Sequence, residues 1–255
     1  MTTNNGFEGK SIVVTGAGSG IGRAAALQFA RQGGKVLIAD LNEATAKLVS
    51  EEIHAAGGIA ITVIGDLSDQ EVVDKIVATA IKEHGGIDVL VNNAGIMDSM
   101  SANDEVAIKE WDRVLRVNLT APFMLSRAVL PHMLKVGKGA IVNTASEAAL
   151  RGSAAGTAYT VSKHGLVGLT KSDAVMYRNR GIRVNAVAPG GTRTNIQVVP
   201  VEGTEGPKIL GGYMSNVGRI AEADEVAAAI VFLASDAASD ITGVVLPVDG
   251  GWSAI

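Results

Sequence analysis

Tyr159 and Lys163 stand four residues apart in a stretch, residues 157–179, that reads as a helix, so their side chains share one face. A tyrosine hydroxyl titrates near ~10, too high to trade protons readily at neutral pH. An ammonium beside it stabilises the phenolate and draws that value down. The pair is a candidate proton donor with its activator, and the same lysine has donors for ribose hydroxyls. Ser146 lies shortly before this stretch, just past an apolar run at 140–144. Its hydroxyl suits a carbonyl oxygen, holding it beside the tyrosine while a hydride arrives at carbon. Thr144 is the alternative hydroxyl. By itself Tyr-x-x-x-Lys is more often surface decoration than machinery.

A second constellation lies at the other end of the chain. Residues 15–22 read T-G-A-G-S-G-I-G, directly after one strand-like run and directly before a helix-like one. Gly16, Gly20 and Gly22 allow a sharp turn and a close backbone approach to a ligand. The helix start behind them offers free N–H groups and partial positive charge to a pyrophosphate. Asp40 ends the next strand, where a carboxylate can accept from adenosine ribose hydroxyls. A 2′-phosphate there meets a like charge, costing about 4 kcal/mol at ~4 Å and an effective dielectric of 20. A tight turn, and for Asp40 a cap on the following turn, are the plainer readings.

The glycine spacing, Gly-x-x-x-Gly-x-Gly after Thr15, together with Tyr159-x-x-x-Lys163, resembles the short-chain dehydrogenase/reductase family over nearly the whole chain. The resemblance implies a Rossmann-type sheet and a catalytic set of Ser146, Tyr159, Lys163 and Asn118, the last distorting its helix to hold a water. It further implies cofactor contacts from Ser19 and Ile21 of the cradle, Leu41 beside Asp40, and Asp66 with Leu67 at the adenine. Asn92-Asn93-Ala94-Gly95 matches the family's NNAG motif, with Asn92 read as structural and Asn93, Ala94 and Gly95 as lying against the cofactor. Pro189, Gly190, Thr192 and Thr194 match its carboxamide-binding stretch, Thr192 replacing a frequent Val or Ile. Ser19 and Leu41 stand where NADP-preferring relatives often carry Arg or Lys, so the expected cofactor is NAD. A homotetramer is the expected assembly, with long helices, Gly165, Gly168 and the apolar stretch 244–255 with Trp252 as contacts.

The elements that must hold these residues alternate along the chain. Apolar runs at 11–15, 35–39, 59–64, 87–91, 140–144, 182–188 and 244–248 read as strands. Helix-like segments separate them: 21–31, 42–56 with Asn42 as cap, 70–83 with Ser68 as cap, about 105–134, 157–179 and 222–233. Pro122 is expected to bend or divide the long fourth one. Strands apolar throughout are buried on both faces. The expected fold is a single-domain α/β protein, a Rossmann-type doubly wound parallel sheet of about seven strands with helices on both faces. Residues 191–218, rich in Gly with Pro200 and Pro207, are expected to form a substrate lid. Met97, Glu147, Ile196 and Tyr213 join Ser146 and Tyr159 as candidate substrate contacts. Ile96, Leu150, Val198 and Met214 are further lining, mostly apolar.

Composition narrows the field. With 255 residues, 47% hydrophobic and 19% charged, the chain suits one globular domain. A net charge of −4 offers no basic field for nucleic acid. The absence of cysteine excludes disulfides and thiolate chemistry. The four histidines, His54, His84, His132 and His164, have no metal-ligand spacing and are expected on helix surfaces. The start of the chain lacks the features of a secretory leader, no run is long enough to span a membrane, and a cytoplasmic location is expected. The reading is an oxidoreductase moving a hydride between NAD(H) and a small-molecule ketone or secondary alcohol. The alternatives are an NAD-binding sensor without turnover, a nucleotide-sugar epimerase and a 3-oxoacyl reductase. An epimerase usually adds a C-terminal domain, for which too little chain follows Gly190. A 3-oxoacyl reductase usually takes NADPH, which Asp40 opposes.

Overall fold

The computed structural model describes residues 6–255; the leader question concerns a segment that lies mostly outside them. The first half alternates strand and helix: β1 (Ser11–Thr15), α1 (Gly20–Arg31), β2 (Lys35–Asp40), α2 (Glu43–Ala55), β3 (Ile59–Ile64), α3 (Gln70–His84), β4 (Val89–Asn92). Then come α4 (Ile108–Leu115), a π-turn (Arg116–Thr120), α5 (Ala121–Val136), β5 (Gly139–Thr144) and a 3-10 turn (Glu147–Ala149). The catalytic-helix candidate is α6 (Thr157–Tyr177), followed by β6 (Ile182–Pro189) and a short β7 (Thr192–Arg193). The chain closes with α7 (Gly206–Gly211), β8 (Ala221–Glu222), α8 (Ala223–Ala234) and β9 (Val245–Val248).

Seven strands form one parallel sheet in the order β3-β2-β1-β4-β5-β6-β9, as the continuously apolar runs predict. Each strand serves two cores. In β1, Ile12 and Val14 face α1, α2 and α8, while Val13 faces the side of α3 and α5. Strand order reverses between β1 and β4, and in such sheets the crevice outside the carboxyl ends at that point takes the ligand. Gly16 and Asn93–Gly95 follow those two strands.

Several local expectations need correction. The third helix is capped by Asp69, whose side chain accepts from the Glu71 amide, rather than by Ser68. Asn42 does cap α2, accepting from Thr45. The long helix begins at Ile108 and not near Glu105; Glu105 instead accepts from the amides of Glu205 and Gly206, tying α7 to the loop before α4. That helix divides at the π-turn immediately before Pro122, while Pro131 lies inside α5 without ending it. Pro122 has no N–H for the carbonyl four residues back, that of Asn118. The Ala121 amide reaches five back to Arg116 instead. His84 is buried against the Ser11 hydroxyl, not on a helix surface, and burial pushes its pKa down. Trp252 is buried within the chain.

Candidate active site

The cradle is closed by backbone geometry. Gly16 and Gly20 adopt φ of 61° and 51°, the left-handed region where glycine is at home. A Cβ on Gly16 would lie 2.9 Å from the Ala94 Cα, so β1 and the NNAG segment meet backbone to backbone. Thr15 and Asn93 stitch that contact. The amides of Asn93 and Ala94 donate to the Thr15 hydroxyl at 2.9 and 3.1 Å, and the Asn93 side chain donates to the Thr15 carbonyl at 3.0 Å. Ser19 precedes α1 but makes no side-chain cap, leaving the first amides of α1 without an intrahelical or side-chain partner. Thr194 closes the other side, its Cβ within 3.1 Å of where a Gly20 Cβ would be. The half-buried Ile21 packs against the core beneath. The Pro189–Gly190 end of β6 abuts Asp249, and Thr192 donates to the Gly190 carbonyl.

The Asp40 carboxylate accepts from the Gly18 amide at 2.7 Å and the Asn42 amide at 2.8 Å. It therefore caps the following turn and reaches into the cradle. Beside it an open groove of about 780 Å³ runs along Leu41, Asn42 and Lys47, with Leu41 exposed. Asp66 is exposed and accepts from the amide and hydroxyl of Ser68, bonds that lower its pKa. Leu67 is buried next to it. The donors and the glycine geometry fit a dinucleotide: amides for a pyrophosphate, a carboxylate for a ribose.

Ser146, Tyr159, Lys163 and Asn118 are brought together at the carboxyl ends of β4 and β5. Tyr159 and Lys163 are both buried on α6, the ammonium 5.5 Å from the phenol ring centre. Lys163 donates to the Thr144 carbonyl at 2.9 Å, and the Thr144 hydroxyl donates to the Asn93 side chain at 3.4 Å. Burial pushes the Tyr159 phenol up to about 12 against the opposing hydrogen bond of the Ser146 hydroxyl. Burial likewise pulls Lys163 down to about 8. The lowering expected from the lysine is not seen in the protein alone, where desolvation sets the direction of the shift. Asn118 is fully buried in the π-turn, accepting from the Ile96 amide and donating to the Ile96 carbonyl, each at 2.9 Å. Its amide also reaches Ser162 at 3.1 Å.

The candidate substrate contacts divide. Met97 packs with Ile96, Met100 and Trp111 around Tyr159. Ile196 and Tyr213 are about half exposed on the 191–218 segment, which contains β7, α7 and a 3-10 turn, Met214–Val217, rather than one irregular loop. Glu147 is neither at the surface nor at an open mouth: it is buried and ion-paired with Arg151, and burial raises its pKa. Sequence reading missed Arg151, Ser162 and Asp98. Their partners are contacts no local spacing announces, except the four-residue step from Glu147 to Arg151. Among the described residues no cluster of His, Asp or Glu could hold a metal, and no helix is long and apolar enough to cross a membrane.

A parallel doubly wound sheet with a glycine cradle at its switch point, and a Ser–Tyr–Lys group whose tyrosine and lysine are buried, defines a dinucleotide-binding oxidoreductase. The family model described as enoyl-(acyl carrier protein) reductase, of the short-chain dehydrogenases, matches residues 16–253. The chain belongs to the short-chain dehydrogenase/reductase family, whose members interconvert alcohols and carbonyls with a nicotinamide cofactor. It is 39% identical to the cyclohexanol dehydrogenase of an Acinetobacter species, covering 98% of this chain and 97% of that one. It is 38% identical to the 2,5-dichloro-2,5-cyclohexadiene-1,4-diol dehydrogenase of Sphingobium indicum, covering 98% of each. A solved structure described as an NAD(P)-dependent gluconate 5-dehydrogenase from Beutenbergia cavernae, with NADP bound at low occupancy, superposes with a TM-score of 0.87. It is 40% identical and covers 99% of this chain and 100% of that one.

Proposed function

We propose that this oxidoreductase uses NAD(H) to interconvert an alicyclic secondary alcohol and its ketone, as a homotetramer in the cytoplasm. The observation that carries the reaction is the grouping of the half-buried Ser146 with the buried Tyr159 and Lys163. When bound, the cofactor's nicotinamide gives or takes the hydride. The side chains do the rest. Ser146 donates to the carbonyl oxygen and holds it at Tyr159, which protonates that oxygen in reduction and takes the proton back in oxidation. Tyr159 raised to about 12 is a neutral phenol at physiological pH, ready as an acid. Alcohol oxidation needs the phenolate and therefore gains with rising pH. Asn118 fixes the Ile96 backbone over this centre, and the carbonyl freed by Pro122 is the group we assign to the relay water.

Asp40 supports NAD over NADP: both of its oxygens are held by amides at the end of β2 beside the cradle, a fixed negative charge that would oppose a 2′-phosphate on a ribose bound there. The NADP in the Beutenbergia structure makes the opposing reading concrete. The expected result is a kcat/KM at least tenfold higher with NAD(H) than with NADP(H), and Asp40→Ala with Leu41→Arg erasing that gap. Equal efficiency in the parent protein removes the NAD assignment.

The substrate ring is inferred from the two cyclohexane-type relatives and from the apolar wall of Ile96, Met97 and Met100. The 191–218 segment serves as the lid, its exposed Ile196 and Tyr213 turned to substrate on closure. Exposed Phe123, Val161, Val175 and Met176 on α5 and α6 support the assembly. Gly165 packs against Leu119 within the chain, whereas Gly168 opens on free space. Light scattering at micromolar concentration should give four chains, and a monomer would overturn it.

A further inference from the structure

The helix that carries Tyr159 lacks a cap of its own. Its N-cap is Gly156, with no side chain, and its third residue is Tyr159 itself. In an ordinary capping box those two positions serve each other: the N-cap side chain accepts from the third amide, and the third side chain reaches back to the N-cap amide. Here neither can, because one has no side chain and the other is turned to chemistry. Asp98 does both. Its Oδ2 accepts from the Tyr159 amide at 2.9 Å and its Oδ1 from the Gly156 amide at 3.2 Å. The Ser101 carbonyl, three residues on, takes the first-turn amide of Thr157.

Three further observations show that the fit is specific. Gly156 has φ −71° and ψ 179°, a conformation open to any residue, so glycine is not there for backbone freedom. A Cβ at 156 would lie 2.6 and 2.8 Å from the two Asp98 oxygens, which leaves no room for the side chain of a normal cap. Met100 takes φ 63°, the one non-glycine residue with positive φ among those described, so the loop is bent sharply where it passes the helix start. Asp98 is only 3% exposed, and its Oδ1 also accepts from the Met100 amide at 3.0 Å. The segment continues directly from Asn93–Gly95 and is clamped at Ile96 by Asn118.

We propose that Asp98 is a positioning residue for Tyr159: its carboxylate caps the catalytic helix from a distant segment and fixes the tyrosine relative to the cofactor floor. The assignment of Tyr159 as the acid rests on the function proposed above. The charged groups around the phenol are Asp98 at the helix start, Glu110 behind it, and Lys163 one turn along. Asp98's charge adds to the burial that keeps the phenol protonated. Misplacement of a reacting group by about 1 Å costs on the order of a hundredfold.

The test compares Asp98→Asn and Gly156→Ala with the parent, measuring kcat, KM, cofactor affinity and amide hydrogen exchange. Asp98→Asn keeps one acceptor and loses the other; Gly156→Ala keeps the carboxylate but displaces it. Each should lower kcat about tenfold or more, with KM and cofactor Kd within about threefold. Amides 156–160 should lose protection while those of 166–177 keep it. The double variant should be no worse than the poorer single one. Unchanged kcat, or protection lost evenly across the molecule, overturns the proposal. So does an additive double variant. If Asp98→Asn does not fold, Gly156→Ala alone decides on the same measures. If the parent turns over no alcohol or ketone, the proposed function has failed. The exchange pattern at 156–160 then decides the Asp98 assignment.

Discussion

Tyr159→Phe is expected to lower turnover of an accepted ketone by ~10²–10⁴-fold, the usual contribution of one positioned acid or base. Tyr159 belongs to a buried cluster with Ala155 and Ala158, flanked by Met97 and Met100, and phenylalanine keeps the ring in it. What is lost is the hydroxyl that meets Ser146. Hydride addition leaves an alkoxide-like oxygen; the Ser146 hydroxyl is too weak an acid to neutralise it, and the Lys163 ammonium is engaged by the Thr144 carbonyl. The Kd for cofactor should stay within about twofold, because the cradle lies at the other end of the crevice. Steady-state turnover and a cofactor titration on the folded variant check this. Turnover within threefold of the parent would remove Tyr159 from the mechanism.

Gly22→Ala is expected to do the reverse, striking cofactor binding first. The new Cβ would sit 2.2 Å from the Gly16 carbonyl oxygen and 2.5 Å from the Asn93 side-chain nitrogen. Neither is the free end of a flexible chain: one is backbone, and the other is bonded to the Thr15 carbonyl. Forced overpacking of this kind costs about 1–3 kcal/mol. If the cradle absorbs the strain by spreading, that corresponds to roughly a 5–150-fold weaker Kd, at 1.4 kcal/mol per tenfold. Fluorescence titration with NADH and a melting curve measure the two components. An unchanged Kd with an unchanged melting temperature would show that the helix can shift at no cost.

The sheet was legible because strands buried on both faces leave continuous apolar runs, as β1, β2 and β4 do. The cradle and the Tyr159–Lys163 pair were legible because their partners are close in sequence. Asp98 was not: its partners at the helix start lie 58 and 61 residues away, and an aspartate in a loop is an unremarkable residue. Glu147 misled because its neighbour Ser146 is functional, while its own side chain turns inward to Arg151. The lowering expected for the Tyr159 phenol failed because spacing reports proximity to an ammonium and says nothing of desolvation. The π-turn left one trace, Pro122, whose missing donor marks where the α ladder stops; five-residue hydrogen bonding itself has no compositional signature.

That turn has a consequence for how the chain can change over evolutionary time. A π-turn is an α-helix holding one surplus residue, and each residue advances a helix by about 100°. The surplus sets the phase between α4 and α5, letting Val114 point into the core around Tyr159 while Leu125 and Val129 point into the one beneath the sheet. Deleting any one residue from 116–120 would remove the surplus and rotate one helix against the other by that angle, carrying a core face toward water. Asn118 apart, length at this stretch is therefore fixed more tightly than identity: substitutions are absorbed side chain by side chain, whereas a one-codon deletion is read by the whole of α5.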